Sequence, residues 1–556
     1  MHPALNISEI TENILSKLDD ATYLNRDNAT LAALARTSTV FMEPALNRLW
    51  YSLVDINQLL KCLPVDALDC FPDIYDEIQI ELTRELVPAD WDRVLRYAHR
   101  VKSVHLDYQM NFRSFSVLET ISDAFPSNSL FPNVTHFSWS PEPDLGVFQY
   151  MRPLLGPHLN WVELTLSPSE LAEVPDLPIP FSALEILRIN FDHHSFESIN
   201  DLQGLDEEVW FSLSQIPRVL SVTLPTPDLD TIALFANLVS IKTLSVTGLE
   251  NLCYDSDSDE EENAANRDLP DKALSSIPTV AFGGADYEQG VNVLKLFPQW
   301  AVESFSFSIT KLNAKPALAS TRGMYGAVAS RLSQESLKHL RLGISREFRP
   351  SARPVPPTPA ELANLAVPGS DLRVLFCFSG LTTVNINTPI GFQLDDPMIW
   401  ELAQAWPHLT ELELGTGSNF IGMPGPPPAT LDALRAFALF CPKLNMLIQT
   451  LELDATRHGI NPAAPKIKRR IVPLKALTRW SVVRSPIRAT DPLNVALFLF
   501  NLFPELEDIR PLRPWHSWLR DVPRTPEDEE EYVRADAWMR IRRCIERIAA
   551  EALRRY

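Results

Sequence analysis

The chain has 556 residues, of which 71 are acidic and 50 are basic, giving a formal charge of −21. This balance argues against a general nucleic-acid binder and against docking on an anionic membrane, because both need a positive surface. Hydrophobic residues make up 45% of the chain and charged residues 22%, as in soluble folded proteins. We therefore expect several globular domains, or one long repeat domain with a small module attached.

The first 53 residues predict three short amphipathic helices. Ser8 can cap the first helix, the second runs from about Ala29 to Ser38, and the third starts near Pro44. The helices place apolar residues at helical spacing. Those residues are Leu5, Ile7, Ile10, Ile14, Leu15, Leu18, Leu31, Leu34, Leu46, Leu49 and Trp50. A unit of this size is only marginally stable alone, so it should pack against the rest of the chain or against another protein.

The sequence of this segment resembles the F-box, the module by which substrate receptors of cullin-type ubiquitin ligases bind a Skp-family adaptor. The segment Ile7-Ser8-Glu9-Ile10 takes the place of the family's opening Leu/Ile-Pro-Glu-Ile, and Leu49-Trp50 closes the box. The sequence is similar to the large family of F-box proteins in mushroom-forming fungi. Ser8 and Thr11 depart from the family's Pro and Leu. The resemblance implies that the apolar residues named above bind the adaptor.

We expect a helical linker over residues 54–98, with a polar helical passage from about Pro64 to Tyr97. An apolar-x-x-apolar-x-apolar phrase then recurs through residues 99–524. The full copies begin at Val101, Val134, Leu159, Leu184, Val219, Ile241, Val302, Leu337, Leu381, Leu409 and Leu477. Leu444-Leu447 is a degenerate copy and Leu506-Ile509 a partial one.

Phrases such as "WPHLTELEL" and "CPKLNML" resemble leucine-rich repeats. In that family the last apolar-x-apolar is a short strand, and the side chains between the apolar positions face the concave surface. A Pro ahead of several copies should end a crossover helix and start the strand. The spacing is irregular, and Gln109, Asp192 and Gly417 stand where a regular repeat has Asn or Cys. We expect an irregular leucine-rich-repeat solenoid; the alternative is an ordinary α/β or β-rich domain.

Three further segments stand out. The acidic stretch within residues 253–270 reads as a disordered loop, in which Ser256 and Ser258 resemble acidophilic kinase sites. The basic run 466–470 is an exposed loop or a nuclear import signal. The segment 525–556 begins with Thr525-Pro526-Glu527-Asp528, a strong helix start. Its apolar stripe of Trp538, Ile541, Ile545 and Ile548 predicts a helix that caps the solenoid.

No catalytic motif is present: the chain lacks a P-loop, a nucleophile elbow and a zinc-protease helix. The six cysteines form no Cys-x-x-Cys pair, so we expect reduced thiols, no metal and no cofactor. No signal peptide or apolar run long enough to span a bilayer is visible.

The fold class is therefore α plus α/β, a three-helix F-box followed by a leucine-rich-repeat solenoid. The favoured function is a non-catalytic substrate receptor of a cullin-type (SCF) ubiquitin ligase in the cytoplasm, the nucleus or both. Its partners would be the adaptor, through it a cullin, and a protein target of unknown identity. The alternatives are a repeat-type interaction scaffold without a ligase role and, less favoured, an enzyme with dispersed catalytic residues.

Overall fold

A computed structural model describes most of the chain. The described residues are Asn13, Leu15, 28–72, 78–106, 114–126, 129–140, 147–166, Glu170, 173–191, 221–225, 241–247, 277–295, 300–310, 317–344, Thr358, 365–388, 391–416, 427–447, 453–456, 472–483, 485–487, 492–511 and 526–554. The chain divides into two compact units, one made of 1–225 with 238–241 and the other of 226–237 with 242–556. The two units are described separately.

Helices and strands alternate along the chain. In the first unit the helices are α1 (Asn28–Thr37), α2 (Thr39–Leu49), α3 (Asn57–Leu60), α4 (Asp92–Ala98) and α5 (Ser114–Ala124). Its strands are β1 (Ser52–Leu53), β2 (Leu68–Pro72), β3 (Ile78–Leu82), β4 (Ser103–Leu106), β5 (His136–Trp139), β6 (Trp161–Leu166), β7 (Ile186–Phe191) and β8 (Ser221–Pro225). Short 3₁₀ helices lie at Val65–Ala67, Pro88–Trp91, Phe148–Leu154, Val174–Asp176 and Phe181–Ala183.

The second unit continues the same alternation. Its strands are β9 (Thr243–Thr247), β10 (Thr279–Gly284), β11 (Ser304–Ile309), β12 (His339–Ile344), β13 (Val367–Pro368), β14 (Thr383–Thr388), β15 (Phe392–Gln393), β16 (Glu411–Thr416), β17 (Met446–Leu447), β18 (Arg479–Val483) and β19 (Asp508–Pro511). Its helices are α6 (Tyr287–Lys295), α7 (Leu318–Arg331), α8 (Asp396–Ala405), α9 (Leu434–Phe440), α10 (Pro492–Leu502) and α11 (Pro526–Arg554), with 3₁₀ helices at Gly369–Cys377 and Leu431–Ala433.

Each unit has a parallel sheet whose strands are stacked in chain order. In the first unit the order is β1-β4-β5-β6-β7-β8, and in the second it is β9-β10-β11-β12-β14-β16-β17-β18-β19. The register of the second sheet aligns the repeated phrase, since Leu340 lies opposite both Phe305 and Val384. The predicted strands are thus confirmed as members of parallel sheets in a mixed helix and strand fold.

The apolar positions of the phrase form the core. Strand β6 alternates half-buried and buried residues, with Val162 and Leu164 inside, and β11 does the same with Phe305 and Phe307. The leading residue of the phrase is buried as well, as at Leu409. Burial on one face at period two is what a strand packed on one side requires.

Backbone hydrogen bonds tie each repeat to the previous one just before the strand. The N–H groups of Thr382 and Thr383 both donate to the Lys338 carbonyl, at 2.8 and 3.1 Å. One repeat later, Thr410 and Glu411 donate in the same way to the Thr382 carbonyl. The hydroxyls of Thr382 and Thr410 donate to the same carbonyls, at 3.1 and 3.0 Å. This ladder fixes the register between neighbouring repeats. The expected positions of a regular Asn ladder, Gln109, Asp192 and Gly417, lie outside the described residues.

The prolines act as expected. Helices α8, α9 and α10 end immediately before Trp406, Cys441 and Phe503, and each of these buried residues precedes a Pro. The residue before a Pro is pushed out of the helical region of backbone space, so the helix stops there. The chain then turns into the buried Leu that begins the next phrase.

Three predictions about the first 98 residues need correction. Helix α2 begins at Thr39, not near Pro44, because the Ser38 hydroxyl accepts from the Val40 N–H and caps it. The repeat sheet begins at β1, since Ser52 pairs with Ser103, and not after residue 98. The 54–98 segment is not only helical: β2 and β3 form an antiparallel hairpin. The alternating Ile78, Ile80 and Leu82 carry the strand period that predicts it.

One strand of the sheet was also missed. Ile277, Val280 and Phe282 repeat the phrase with the same spacing and are buried. They form β10, which pairs with β9 and β11. The strand lies between the copies that begin at Ile241 and Val302 and follows the acidic stretch of residues 253–270, and the described residues begin again at 277, just before it.

The C-terminal helix agrees with its prediction. Helix α11 packs on α10 and β19, and Trp538, Ile541 and Ile545 on its inner face are buried. The Trp538 ring meets the Trp480 ring edge to face at 5.5 Å, and its N–H donates to the Ser485 carbonyl at 2.9 Å. The helix therefore covers the core beside the last strand, while Ile548 is only half-buried.

Candidate interaction surfaces

The N-terminal helices have a small core of their own. Leu15, Leu31 and Ala45 are fully buried together, and Leu34, Ala35 and Leu49 pack against them. Of the residues expected to bind an adaptor, Leu15 and Leu31 therefore lie beneath the surface, where they hold the helices together. Leu5, Ile7, Ile10, Ile14 and Leu18 lie outside the described residues.

Polar contacts fix the helical pair to the rest of the first unit. The Arg100 guanidinium donates to the Glu43 carboxylate at 2.7 Å and to the Asn47 side-chain carbonyl. The Trp50 ring stacks on Tyr97 with centroids 4.9 Å apart. Glu43 and Asn47 are four positions apart on α2, and Trp50 follows its last residue three positions further on, so these contacts are made from one side of the helix. Neither Tyr97 nor Arg100 was identified from the sequence, because their role depends on contacts distant along the chain.

A second face of α2 is apolar and accessible. Met42 is 39% exposed and Leu46 is half-buried, and they are one helical turn apart. The faces on either side of them are used by the helical core and by Arg100. Met42 and Leu46 thus form the α2 outer face, and Leu46 is the predicted adaptor-binding residue that lies on it.

The outward face of the first sheet carries an aromatic cluster. The outward side chains of β4 to β7 around Trp161 are defined here as the Trp161 face: His105, His136, Trp161, Glu163, Ile186, Arg188 and Asn190. Register places Trp161 between His136 and Ile186 on neighbouring strands. The ring centroids of His136 and Trp161 are 6.0 Å apart. Trp and Arg are the residue types that most often dominate protein–protein binding energy.

Ion pairing and hydrogen bonds order the Trp161 face. The Arg188 guanidinium lies 5.6 Å from the Trp161 ring centroid, a distance at which cation–π attraction operates. Arg188 also reaches the Glu163 carboxylate at 3.9 Å, and the Asn190 amide donates to that carboxylate at 3.1 Å. These contacts hold the side chains of the Trp161 face in place.

Hydroxyl groups orient the two histidines of this face. The His105 Nε2 atom is 2.7 Å from the Ser103 hydroxyl oxygen, and the His136 Nδ1 atom is 2.8 Å from the Thr135 hydroxyl oxygen. Both rings flank Trp161, with His105 at a centroid distance of 6.4 Å. The face therefore combines a partly exposed aromatic surface with polar groups at its rim.

The outward side chains of the second sheet differ in size and polarity from one strand to the next. On β9 to β11 the outward positions are small, as at Thr243, Thr279 and Ser304. On β14 and β16 they are polar and buried: the Asn385 amide donates to the Glu413 carboxylate at 2.7 Å, and the Asn387 amide donates to Asn385 at 2.9 Å.

Close packing beside this polar network requires a glycine. Gly343 has φ of +154°, and a Cβ there would lie 2.7 Å from the Asn387 Cβ. The neighbouring strand therefore approaches Asn387 too closely for any side chain. The network is a rigid internal feature of the second unit.

Charged side chains gather at the end of the second sheet. Arg479 on β18, Arg510 on β19 and Arg542 on α11 all lie within 3.6 Å of the Asp508 carboxylate, measured between nitrogen and oxygen. We call these three arginines the arginine cluster. No local sequence pattern indicates this cluster, because its members are 31 and 32 residues apart.

Several predicted features lie outside the described residues. These are the acidic stretch with Ser256 and Ser258 and the basic run 466–470. In the part of the chain that the structure describes, no group of three or more His, Cys, Asp or Glu side chains is placed to hold a metal ion. The described helices include none that is both long and apolar enough to cross a membrane.

Comparison with known proteins gives distant likenesses. No protein-family model and no curated protein sequence matches the chain. Among solved structures, the leucine-rich repeat-containing protein LegL7 from Legionella pneumophila is 14% identical, with a TM-score of 0.30, and the match covers 62% of this chain and 93% of LegL7. CroV588, a circular leucine-rich-repeat protein, is 12% identical with a TM-score of 0.25, over 74% of this chain and 43% of CroV588. Both TM-scores are too low to establish a shared architecture.

Proposed function

We propose that the chain is the substrate-recognition subunit of a cullin-type (SCF) ubiquitin ligase, acting in the cytoplasm, the nucleus or both. The N-terminal helices would bind a Skp-family adaptor, and the leucine-rich repeats would bind a target protein. The chain would carry no catalytic chemistry. Ubiquitin transfer belongs to the partner subunits, and this chain raises the effective concentration of a target lysine near them.

The α2 outer face is the observation that carries the proposal. Helix α2 uses one face for the core with α1 and another for Arg100 and Tyr97. Met42 and Leu46 remain accessible on the helix that ends at Leu49-Trp50, the two residues that close the F-box resemblance. An accessible apolar pair on a helix already fixed at a defined orientation fits the binding of a helical adaptor.

The proposal assigns different tasks to the predicted residues. Leu46 would contact the adaptor, with Met42 beside it. Leu15, Leu31, Leu34 and Leu49 would support that surface from within the helical core. Trp50 would set the angle between the helical pair and the repeats, since its ring stacks on Tyr97. Leu5, Ile7, Ile10, Ile14 and Leu18 are proposed as adaptor contacts from the resemblance alone.

The test is co-purification of the full chain with a Skp-family adaptor. We expect the natural chain to retain the adaptor in stoichiometric amounts and Leu46→Asp to lose it, because the substitution leaves a charge in the apolar interface. Val65→Asp is the matched control, since Val65 is the most exposed of the large apolar residues described. Circular dichroism of both variants shows whether the fold is kept.

Deleting residues 1–53 is a poor test of this function. It would remove β1, and it would also remove the Tyr51 carbonyl that accepts from the N–H groups of Lys102 and Ser103, both at 2.9 Å. Loss of the adaptor would then reflect damage to the sheet. Point variants on the α2 outer face avoid this.

The second candidate is an interaction scaffold without a ligase role. The contacts of Arg100 and Trp50 favour it, because they make the helical pair a cap on its own chain. Failure of the natural, folded chain to retain any Skp-family adaptor would favour this scaffold. Retention by Leu46→Asp as strong as by the natural chain would remove the α2 outer face from the proposal.

A further inference from the structure

The arginine cluster concentrates positive charge in a strongly acidic chain. Arg510 Nε lies 2.5 Å from Asp508 Oδ2, Arg479 Nε lies 3.4 Å from the same atom, and Arg542 Nη1 lies 3.6 Å from Oδ1. Arg542 Nε also donates to Glu546 at 3.1 Å. The three guanidinium charges exceed the two carboxylate charges by one.

Asp508 pairs with all three arginines but does not use all of their N–H donors. A guanidinium has five N–H donors, and a carboxylate has about four acceptor positions. Among the described residues, the cluster's nitrogens contact the two carboxylates and, from Arg479 Nη1, the Met446 sulfur at 3.6 Å. Most of the N–H donors of the cluster therefore remain for a further acceptor.

The arginines are accessible to a partner, and Asp508 is less so. The side chains of Arg510, Arg479 and Arg542 are 60%, 44% and 36% exposed, whereas that of Asp508 is 22% exposed. Arg479 and Asp508 face each other in register on β18 and β19, and Arg542 comes from the covering helix α11. Three elements of the fold thus hold the guanidiniums around one point.

We infer that the arginine cluster binds an acidic segment of a partner protein through the carboxylates of that segment. Guanidinium forks pair with carboxylates in bidentate geometry, and a further carboxylate would balance the one positive charge that Asp508 and Glu546 leave in the cluster. A short acidic segment interacts mainly with charges close to the cluster, because salt at physiological concentration screens charges that are more than about 8 Å away. A long polyanion would also meet the repulsion of a chain with charge −21. The inference does not depend on adaptor binding.

The test measures binding of a fluorescent hexaglutamate peptide to the full chain by anisotropy, beside a hexaglutamine peptide of the same length. We expect only the glutamate peptide to bind. Arg510→Gln should weaken its binding about five-fold, since each exposed ion pair is worth up to about 1 kcal/mol. Asp508→Asn removes the competing carboxylate, so it should strengthen binding by a similar factor.

Arg373→Gln is the matched control. Arg373 is an arginine of the same unit that is also more than half exposed, and it forms a bidentate pair with Glu401 at 2.7 and 2.9 Å. It should leave peptide binding unchanged. Arg479→Gln serves as a second cluster variant if circular dichroism shows that Asp508→Asn is unfolded.

Equal binding by the natural chain and by both cluster variants would overturn the inference, as would equal binding of the glutamine peptide. A short DNA duplex that displaces the glutamate peptide at lower concentration would assign the cluster to nucleic acid and overturn it too. None of these outcomes involves the Skp-family adaptor, so failure here is distinguishable from failure of the proposed function.

Discussion

The indole ring of Trp50 lies on the phenol ring of Tyr97, with centroids 4.9 Å apart and planes 22° apart. Trp50 ends the N-terminal helical pair, and Tyr97 belongs to α4, just before the first long strand of the sheet. The stack therefore joins the helical pair to the repeats at the point where the chain passes from one to the other.

Replacing Tyr97 by Leu should loosen the helical pair while leaving the repeats folded. The substitution keeps apolar bulk but removes the ring stack, which is worth about 1 kcal/mol beyond area burial. We expect hydrogen exchange of the α2 amides to rise about five-fold. Tyr51→Leu is the control, because Tyr51 is 39% exposed. Equal exchange in the two variants would show that the stack does not hold the helices.

Leu342 and Arg341 test the assignment of the two faces of the sheet. Leu342 is fully buried on β12, and its neighbour Arg341 is exposed. Leu342→Ala should cost about 2–5 kcal/mol in unfolding free energy because it leaves a cavity. Arg341→Ala should change it by less than about 0.5 kcal/mol. Thermal unfolding of both variants measures the difference. Similar losses of unfolding free energy in the two variants would contradict the assignment of the buried and exposed faces.

Two helical glycines should respond to alanine with opposite signs. A Cβ at Gly290 on α6 would lie 2.6 Å from the Phe307 ring, whereas a Cβ at Gly326 on α7 meets no atom within 4 Å. Gly290→Ala should therefore destabilise the protein by about 1–3 kcal/mol through overpacking. Gly326→Ala should stabilise it by about 0.5–1 kcal/mol through helix propensity.

Denaturant unfolding compares the two glycine variants. The double variant Gly290→Ala with Phe307→Leu should recover part of the loss, since the shorter side chain vacates the space that the Cβ needs. A loss that Phe307→Leu does not relieve would mean that Gly290 is required for another reason.

Cys441 should resist alkylation until the second unit unfolds. Burial raises the pKa of its thiol to about 12, and its Sγ atom lies 3.5 Å from the carbonyl oxygens of Ala403 and Trp406. At pH 8 about one thiol in ten thousand is then the reactive thiolate. Mass spectrometry after iodoacetamide treatment should find Cys544, which is half-buried, modified before Cys441. Native-state modification of Cys441 at the rate of Cys544 would contradict this environment.

The sequence predicts where most strands of the two sheets lie, but it does not predict the candidate interaction surfaces. The phrase at Leu409, Leu412 and Leu414 requires only local spacing, so it could be read directly. Ile277, Val280 and Phe282 carry the same spacing, so the signal for β10 is also present in the sequence. By contrast, β1 has only two residues and no period to detect.

The candidate surfaces needed the structure for a different reason. Sequence spacing identifies Trp161 and Arg188 as positions between core residues, but not that the guanidinium lies over the ring. Pairings such as Arg100 with Glu43 join residues 57 positions apart. No periodic pattern reports such a contact, because it depends on how whole elements pack.

The lengths of the outermost strands bear on aggregation. A parallel sheet with an open side can recruit further strands, and natural proteins avoid this with short strands, prolines and charges at the edge. Strand β1, which begins the first sheet, offers two residues, and β19, which ends the second sheet, carries Asp508, Arg510 and Pro511. A chain cut after β11 would instead end in the six-residue SFSFSI strand, which has high β-propensity and no charge. Such fragments should polymerise, so shortened versions of this protein are best ended beyond α11, which covers the core beside β19.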